Sequence, residues 1–261
     1  MLNYKKILSF LLITISCTVS QSQDTLGLNN IRKAVIETKD IDKFIKYEKV
    51  FQMNDSTPAP EGKHWFEVIE GSSKLIVTAP HATSVMRNGS IRFPDGGTGS
   101  LAKMLNELCN VTVIYTTYLA ESDPNYYDDN GFKDTLKYLL KKINPEIVLD
   151  LHGSHPFRPY DIDFGTLSGV SLMGRDTLLD LLYAELKQNG LTNFSKDYFS
   201  ASENQTITKW VYINGFPCVQ LEINSNWLMA DREYGNSIYP QKTAQLLQAL
   251  VNYIKKFDMD K

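Results

Sequence analysis

Two of the chain's four histidines close apolar runs: His81 follows "KLIVTAP" and His152 follows "PEIVLDL". Runs of this kind read as strands buried on both faces. A histidine delivered at such a tip is a candidate metal ligand or proton carrier. A third run, "PCVQLEI", carries Glu222 at its end, and "RFPDGGTGSLA" places Asp95 in a Gly-rich turn, three residues after Arg92. Two imidazoles and a carboxylate are the usual ligands of a catalytic zinc, which keeps its fourth position for water. Asp150, two residues before His152 and on the same side of its strand, is placed to orient an imidazole. Singly, each residue has a plainer reading. A lone histidine is more often hydrogen-bonded in a core, Asp95 suits a turn or helix cap, and Arg92 suits a salt bridge. Polar groups at the ends of three strands favour a common site.

The elements that must position these residues alternate along the chain. A short peripheral helix is expected at 41–51, then strands at 64–69 and 74–79. A helix follows over "TGSLAKMLNELC", a strand at 111–117, and an amphipathic helix over "GFKDTLKYLLKKI" that Asn144-Pro145 stops. The strand at 147–151 is followed by a helix over "RDTLLDLLYAELKQNG", another at "ITKWVYIN", the strand "PCVQLEI" and a closing helix over 240–257. Strands alternating with helices predict an α/β three-layer sandwich with a mostly parallel or mixed central sheet, in which ligands bind outside the carboxyl ends of the strands. His81, His152 and Glu222 all read as lying at such ends.

The chain has 261 residues, 43% hydrophobic and 22% charged, with a net charge of −3. That is a globular composition with no electrostatic case for nucleic acid. The N-terminal "MLNYKKILSFLLITISCTVSQSQ" has the layout of an export signal over 1–22, its apolar stretch too short to span a bilayer. Lipid attachment at Cys17 is the alternative processing. Residues 23–60 then form a peripheral segment and 61–261 a single catalytic domain, periplasmic or secreted, without an integral membrane span. The two remaining cysteines, Cys109 and Cys218, sit in apolar segments and read as buried free thiols. A serine-hydrolase elbow is absent: Ser168 in "GTLSGV" and the "GSH" at 153–155 both lack the frame.

Taken in order, "TAPHA", "DGGTGSLA", "SDPNY", "VLDLHG" and "VQLEIN" resemble the N-formylglutamate amidohydrolase-like proteins, relatives of the zinc carboxypeptidases and aspartoacylases. The resemblance implies a phosphorylase/hydrolase-like fold and hydrolysis of an amide-type bond with one zinc ion. It implies His81 and His152 as zinc ligands, Glu222 as the catalytic glutamate, and Asn125 as a residue that helps hold a substrate carboxylate. Two positions depart from the carboxypeptidase pattern. Ser84 stands where their ligand glutamate would be, so Asp95 takes that role, and Tyr126 stands where an arginine follows the asparagine. A carboxylate clamp must then come from Arg87, Arg92, Arg158 or Arg175, with Arg92 the first choice. The function so implied is an exported zinc amidohydrolase acting on an N-acyl amino acid or peptide-like substrate with a carboxylate. The alternatives are a carboxypeptidase or γ-glutamyl hydrolase on extracellular peptides, and a binding protein that kept the fold without the catalysis.

Overall fold

The central strands are built from β-branched and aliphatic residues that find cover on both sides. In a computed structural model that describes residues 35–230 and 238–257, β1 (Phe66–Ile69), β2 (Leu75–Ala79), β5 (Thr112–Thr116), β6 (Ile147–Ser154), β7 (Ile162–Gly165), β8 (Phe194–Lys196) and β9 (Cys218–Asn224) form one sheet. Its order is β1-β5-β2-β6-β9-β7-β8. Neighbours among β5, β2, β6 and β9 run parallel, while β1 is antiparallel to β5 and β7 antiparallel to β9. The sheet is therefore mixed, with a parallel centre. The expected export signal at 1–22, with Cys17, lies outside the described residues.

Alternation along the strands sorts side chains between two cores. Leu75, Val77, Leu149, Leu151, Val219 and Leu221 face one side. There they meet α1 (Thr38–Asn54), α2 (Thr98–Cys109), α4 (Asp176–Gln188) and α6 (Ile238–Lys255). Phe44 and Phe51 bring α1 into that core. Ile76, Ile114, Val148 and Cys218 face the other side, against α3 (Gly131–Ile143) and α5 (Ile207–Ile213). The parity that sends Val148 toward α3 and α5 also sends Asp150 and His152 there, and with Cys218 go Gln220 and Glu222. The polar groups thus share the face that the two smaller helices cover. Cys109 and Cys218 are buried free thiols, as expected.

Several elements differ from the sequence reading. β6 and β9 continue two residues past His152 and Glu222, so these side chains stand within strands rather than at their tips. The strands lengthen because β6 and β9 pair with each other through Ser154 and Asn224. The hairpin of β3 (Val85–Arg87) and β4 (Ser90–Arg92) and the short strands β7 and β8 had no apolar run to announce them.

The turn before α2 needs its glycines. Gly97 has φ 86°, and a Cβ there would stand 2.5 Å from Leu228 O, so an L side chain is barred by backbone geometry and by space. Gly99 lies in the first turn of α2, where alanine would by propensity be preferred. A Cβ there would fall 2.5 Å from the Phe51 ring and 2.7 Å from Ala82 Cβ, next to His81. Gly99→Ala should therefore destabilise the fold by about 1–3 kcal/mol, the usual cost of overpacking. A thermal melt checks this: a lower melting temperature is expected, and a rise would refute the packing argument.

Candidate metal centre

Pro80 follows the last residue of β2, and His81 sits beside it in a turn where Ala82 N–H donates to Ala79 O at 3.4 Å. The backbone then returns, and Asp95 N–H donates to His81 O at 2.8 Å. On the neighbouring strand His152 points to the same place. Asp95 Oδ2 lies 3.3 Å from His81 Nδ1 and 3.1 Å from His152 Nδ1, and the three residues each offer a ligand atom within 4.8 Å of the others. All three are buried.

The far side of each ring is held by a carboxylate. His81 Nε2 is 2.8 Å from Asp123 Oδ1, and that carboxylate also accepts from Asn125 N–H at 2.8 Å and from Arg87 Nε at 2.7 Å. His152 Nε2 is 3.3 Å from Asp150 Oδ2, an ion-pair distance without the alignment of a hydrogen bond. Asp150 in turn accepts from Thr78 Oγ1 at 2.7 Å and Thr208 Oγ1 at 3.1 Å. Asp123 behind His81 Nε2 favours the proton on that nitrogen, and the charge of Asp150 near His152 Nε2 favours the same tautomer, in which Nδ1 would be free to meet a cation.

That arrangement fits a metal ion. Asp95 Oδ2 stands 3.3 and 3.1 Å from the two Nδ1 atoms, and an anionic oxygen so close to a lone pair is repelled unless a proton or a cation lies between them. These two separations match the edge of a tetrahedron, about 3.3 Å for zinc–nitrogen bonds of about 2.0–2.1 Å, and the third lies within 4.8 Å. Charge runs the same way. Burial opposes ionisation of Asp95, but Arg92 and both histidines outweigh it and hold the carboxyl well below its ordinary pKa. Burial likewise works against Asp123, and His81, Arg87 and the Asn125 amide overcome it. Burial opposes charging of His152, yet Asp150, Asp95 and Glu222 raise its pKa well above the usual value. The pocket is rich in negative charge and attracts positive charge.

Glu222 pairs with His152 in register across β6 and β9. Its Oε1 accepts from Gln220 Nε2 at 3.0 Å, and it has no ion pair among the described residues. Burial pushes its pKa up to about 7, with Asp95 and Asp150 adding to the rise and His152 and Arg92 opposing it. Glu222 and both histidines line an open cleft of about 650 Å³.

The other candidates fall into place around this cluster. Arg92 lines the cleft but donates to Asp95 Oδ1 at 3.2 Å. Arg87 lies over the Tyr126 ring at 4.8 Å, which uses the tyrosine that replaces the carboxypeptidase arginine. Arg175 bonds Glu146 at 2.6 Å and stands outside the cleft lining. Asn125 lines the cleft, with its Oδ1 accepting from Ile207 N–H at 2.7 Å. Ser84 donates its backbone N–H to Asp55 and is no part of the cluster. Asp123 was missed by the sequence reading, although it lies inside "SDPNY"; an acid two residues before Asn125 was the available signal.

No family model matches the chain, and no curated protein matches it in sequence. Among solved structures, N-formylglutamate amidohydrolase from Ralstonia eutropha JMP134 is similar at a TM-score of 0.50 and 12% identity, covering 73% of this chain and 98% of that one. Succinylglutamate desuccinylase from Chromobacterium violaceum gives 0.45 and 11%, covering 84% and 78%. A metallo-carboxypeptidase from Pseudomonas aeruginosa gives 0.45 and 9%, covering 85% and 70%. At 12% identity the likeness to the first of these is one of fold.

Asp123→Asn removes the charge that holds the His81 tautomer and strands Arg87. Zinc affinity, measured by competition with a chelating dye, should fall by about 10–100-fold, as for other partners that orient ligand imidazoles. Unchanged affinity would mean that Asp123 serves the fold and not the site.

Proposed function

We propose that this chain is a metal-dependent hydrolase of amide bonds, acting on an N-acyl amino acid or a peptide-like substrate. The observation that carries this reading is the convergence of His81, Asp95 and His152 beside a glutamate whose pKa is lifted to about 7. His81 Nδ1, Asp95 Oδ2 and His152 Nδ1 would hold the ion, zinc by the chemistry of the donor set. Zinc bound there supplies a Lewis acid that polarises a carbonyl and acidifies water.

The chain's own residues supply the proton chemistry. Glu222 Oε1 is taken by Gln220, and Oε2 has no partner among the described residues. A carboxylate with a pKa near neutrality both accepts a proton from an attacking water and returns it to a leaving amine. Arg92, fixed on Asp95, keeps positive charge at the mouth of the site, where an oxyanion would form. Asp123 and Asp150 hold the imidazoles in place while protons move at Glu222. The sequence reading of an export signal at 1–22 supports a substrate outside the cytoplasm. No described helix is long and apolar enough to cross a membrane.

A hydrolysis screen of N-acyl amino acids and short peptides, with and without added zinc, tests the activity. Glu222→Gln should keep its zinc and lose about 10²–10⁴ in turnover, the range for general acid–base catalysis. His152→Ala should lose the metal first and activity with it. A folded, zinc-loaded and fully active Glu222→Gln protein would sink the mechanism.

The pH profile follows from the same group. Catalysis needs Glu222 deprotonated, so kcat/KM should rise with pH through an apparent pKa at or below about 7, because a bound cation favours the carboxylate. In Glu222→Gln the acid limb assigned to this group should disappear; a limb of unchanged position would assign it elsewhere.

A further inference from the structure

Glu222 stands outside the group formed by His81, Asp95 and His152, whose ligand atoms lie within 4.8 Å of one another. Yet it is their neighbour: it pairs with His152 across β6 and β9 and lines the same cleft. A glutamate turns about several side-chain torsions, and a bound divalent cation is the largest charge in its surroundings. A carboxylate so placed is drawn to the ion unless a contact on its other side restrains it.

That contact is Gln220. The cleft side of β9 (Cys218–Asn224) carries Gln220, Glu222 and Asn224 at every second residue. Gln220 Nε2 donates to Glu222 Oε1 at 3.0 Å and to Phe199 O at 3.4 Å. Both neighbours are acceptors, which sets the orientation of the amide. Its Oε1 is then left buried, without a partner among the described residues. A buried acceptor in that state costs stability, and an apolar side chain of similar size would avoid the cost. The amide is therefore a poor choice for the fold alone.

The surroundings are shaped to this amide. Gly165 stands opposite Gln220 in the β7–β9 register. A Cβ there would fall 2.5 Å from Phe199 O and 3.1 Å from Gln220 Cβ, so the glycine leaves the space in which these groups meet. Phe199 is fixed in turn. Its N–H donates to Asp163 at 2.8 Å, the next carbonyl, Ser200 O, accepts from Leu167 N–H at 3.0 Å, and the Arg158 guanidinium lies over its ring at 5.0 Å. Asn224 secures the Arg158 loop, with Nδ2 3.2 Å from the carbonyl oxygens of Pro156, Arg158 and Tyr160. One amino group thus bridges a fixed wall and the glutamate.

We propose that Gln220 is a positioning residue that tethers Glu222 to the cleft wall and keeps its carboxylate from becoming a fourth protein ligand of the metal. The tether leaves the fourth position open, as a catalytic site requires. It rests on the hydrolase reading and states why Glu222 would serve that site as a base and not as a ligand.

The test is a cycle of wild type, Gln220→Met, Glu222→Gln and the double variant, with zinc affinity read by competition with a chelating dye. Gln220→Leu runs beside Gln220→Met as a second apolar shape. Released from its tether, Glu222 should join the ion, so both Gln220 variants should bind zinc at least about 10-fold tighter than wild type, the scale on which partners of zinc ligands act. Glu222→Gln should bind as wild type does, and the double variant should match it, because the gain belongs to the carboxylate. A merely structural role would weaken zinc binding instead. The melting temperature of metal-free Gln220→Met should not fall, since the orphaned acceptor leaves with the amide. Hydrolysis of N-acetyl-L-alanine and N-acetyl-L-alanyl-L-alanine, followed by amine release, should drop at least about 10²-fold in kcat in the Gln220 variants, the lower end of a lost general base. Absent, unchanged or weaker zinc binding by these variants, a gain that survives Glu222→Gln, or loss of folding in both overturns the proposal. A Glu222-dependent gain without hydrolysis of either probe by wild type would keep the tether and reject the hydrolase reading. Hydrolysis by wild type without that gain would do the reverse.

Discussion

Asp95 Oδ2 lies within 3.3 Å of two imidazole nitrogens in a buried place, and much of the surrounding structure holds that contact together. Three electron-rich atoms do not gather in a low-dielectric site unless their backbones and far sides are fixed. The parallel pairing of β2 with β6 sets the two histidines side by side. The amide of Asp95 is tied to the carbonyl of His81, and Gly153 lets the Asp95 loop approach β6, since a Cβ there would meet Asp95 Cβ at 3.2 Å. The β3–β4 hairpin contributes Arg87 and Arg92 from its two strands, and each neutralises one carboxylate of the cluster.

The cleft exists because the polar face of the sheet is incompletely roofed. α5 is seven residues long, and the loop before it walls the cavity in place of a longer helix. Lys133 holds that loop. It is fully buried on α3 and donates to Gln205 O at 2.5 Å and to Asp128 at 2.8 Å. Burial lowers its pKa, and Asp128 works to keep it charged. A buried lysine satisfied on both sides joins the helix to the rim of the site, which an apolar side chain of the same length would not do.

The gathering of His81, Asp95 and His152, with Glu222 in register beside His152, was legible in the sequence because each is set off by a strong local pattern. An apolar run leads into each histidine, Glu222 interrupts a third such run, and a Gly-rich turn surrounds the aspartate. The parallel centre was legible for the same reason, since strands buried on both faces have no polar alternation. What was hidden depends on contacts between distant segments. Asp123 acquires its role from His81 and Arg87, and Asn224 from three carbonyls more than sixty residues away. Arg92 was the first choice by its spacing from Asp95, and spacing does not carry what the fold shows, that its guanidinium is already paired with that carboxylate. The β3–β4 hairpin had a usable signal: Asn88-Gly89, with φ of 51° and 71°, is the dipeptide that closes tight hairpins.

Carboxylates of near-identical intrinsic acidity end up with opposed properties here, and environment alone separates them. Asp95 and Asp123 are each buried, yet each touches a guanidinium group and an imidazole, so their ionised forms prevail over the cost of desolvation. Glu222 is set among the carboxylates of Asp95 and Asp150 with only an amide donor in contact, so burial wins and its proton is held to about 7. A group that stays ionised at every relevant pH suits a ligand, and one that titrates near neutrality suits a proton carrier. The arginines of the β3–β4 hairpin therefore do more than neutralise charge. By pairing with Asp95 and Asp123 and leaving Glu222 without a guanidinium, they divide the acidic residues around the site into one that would bind a cation, one that holds an imidazole and one that would react.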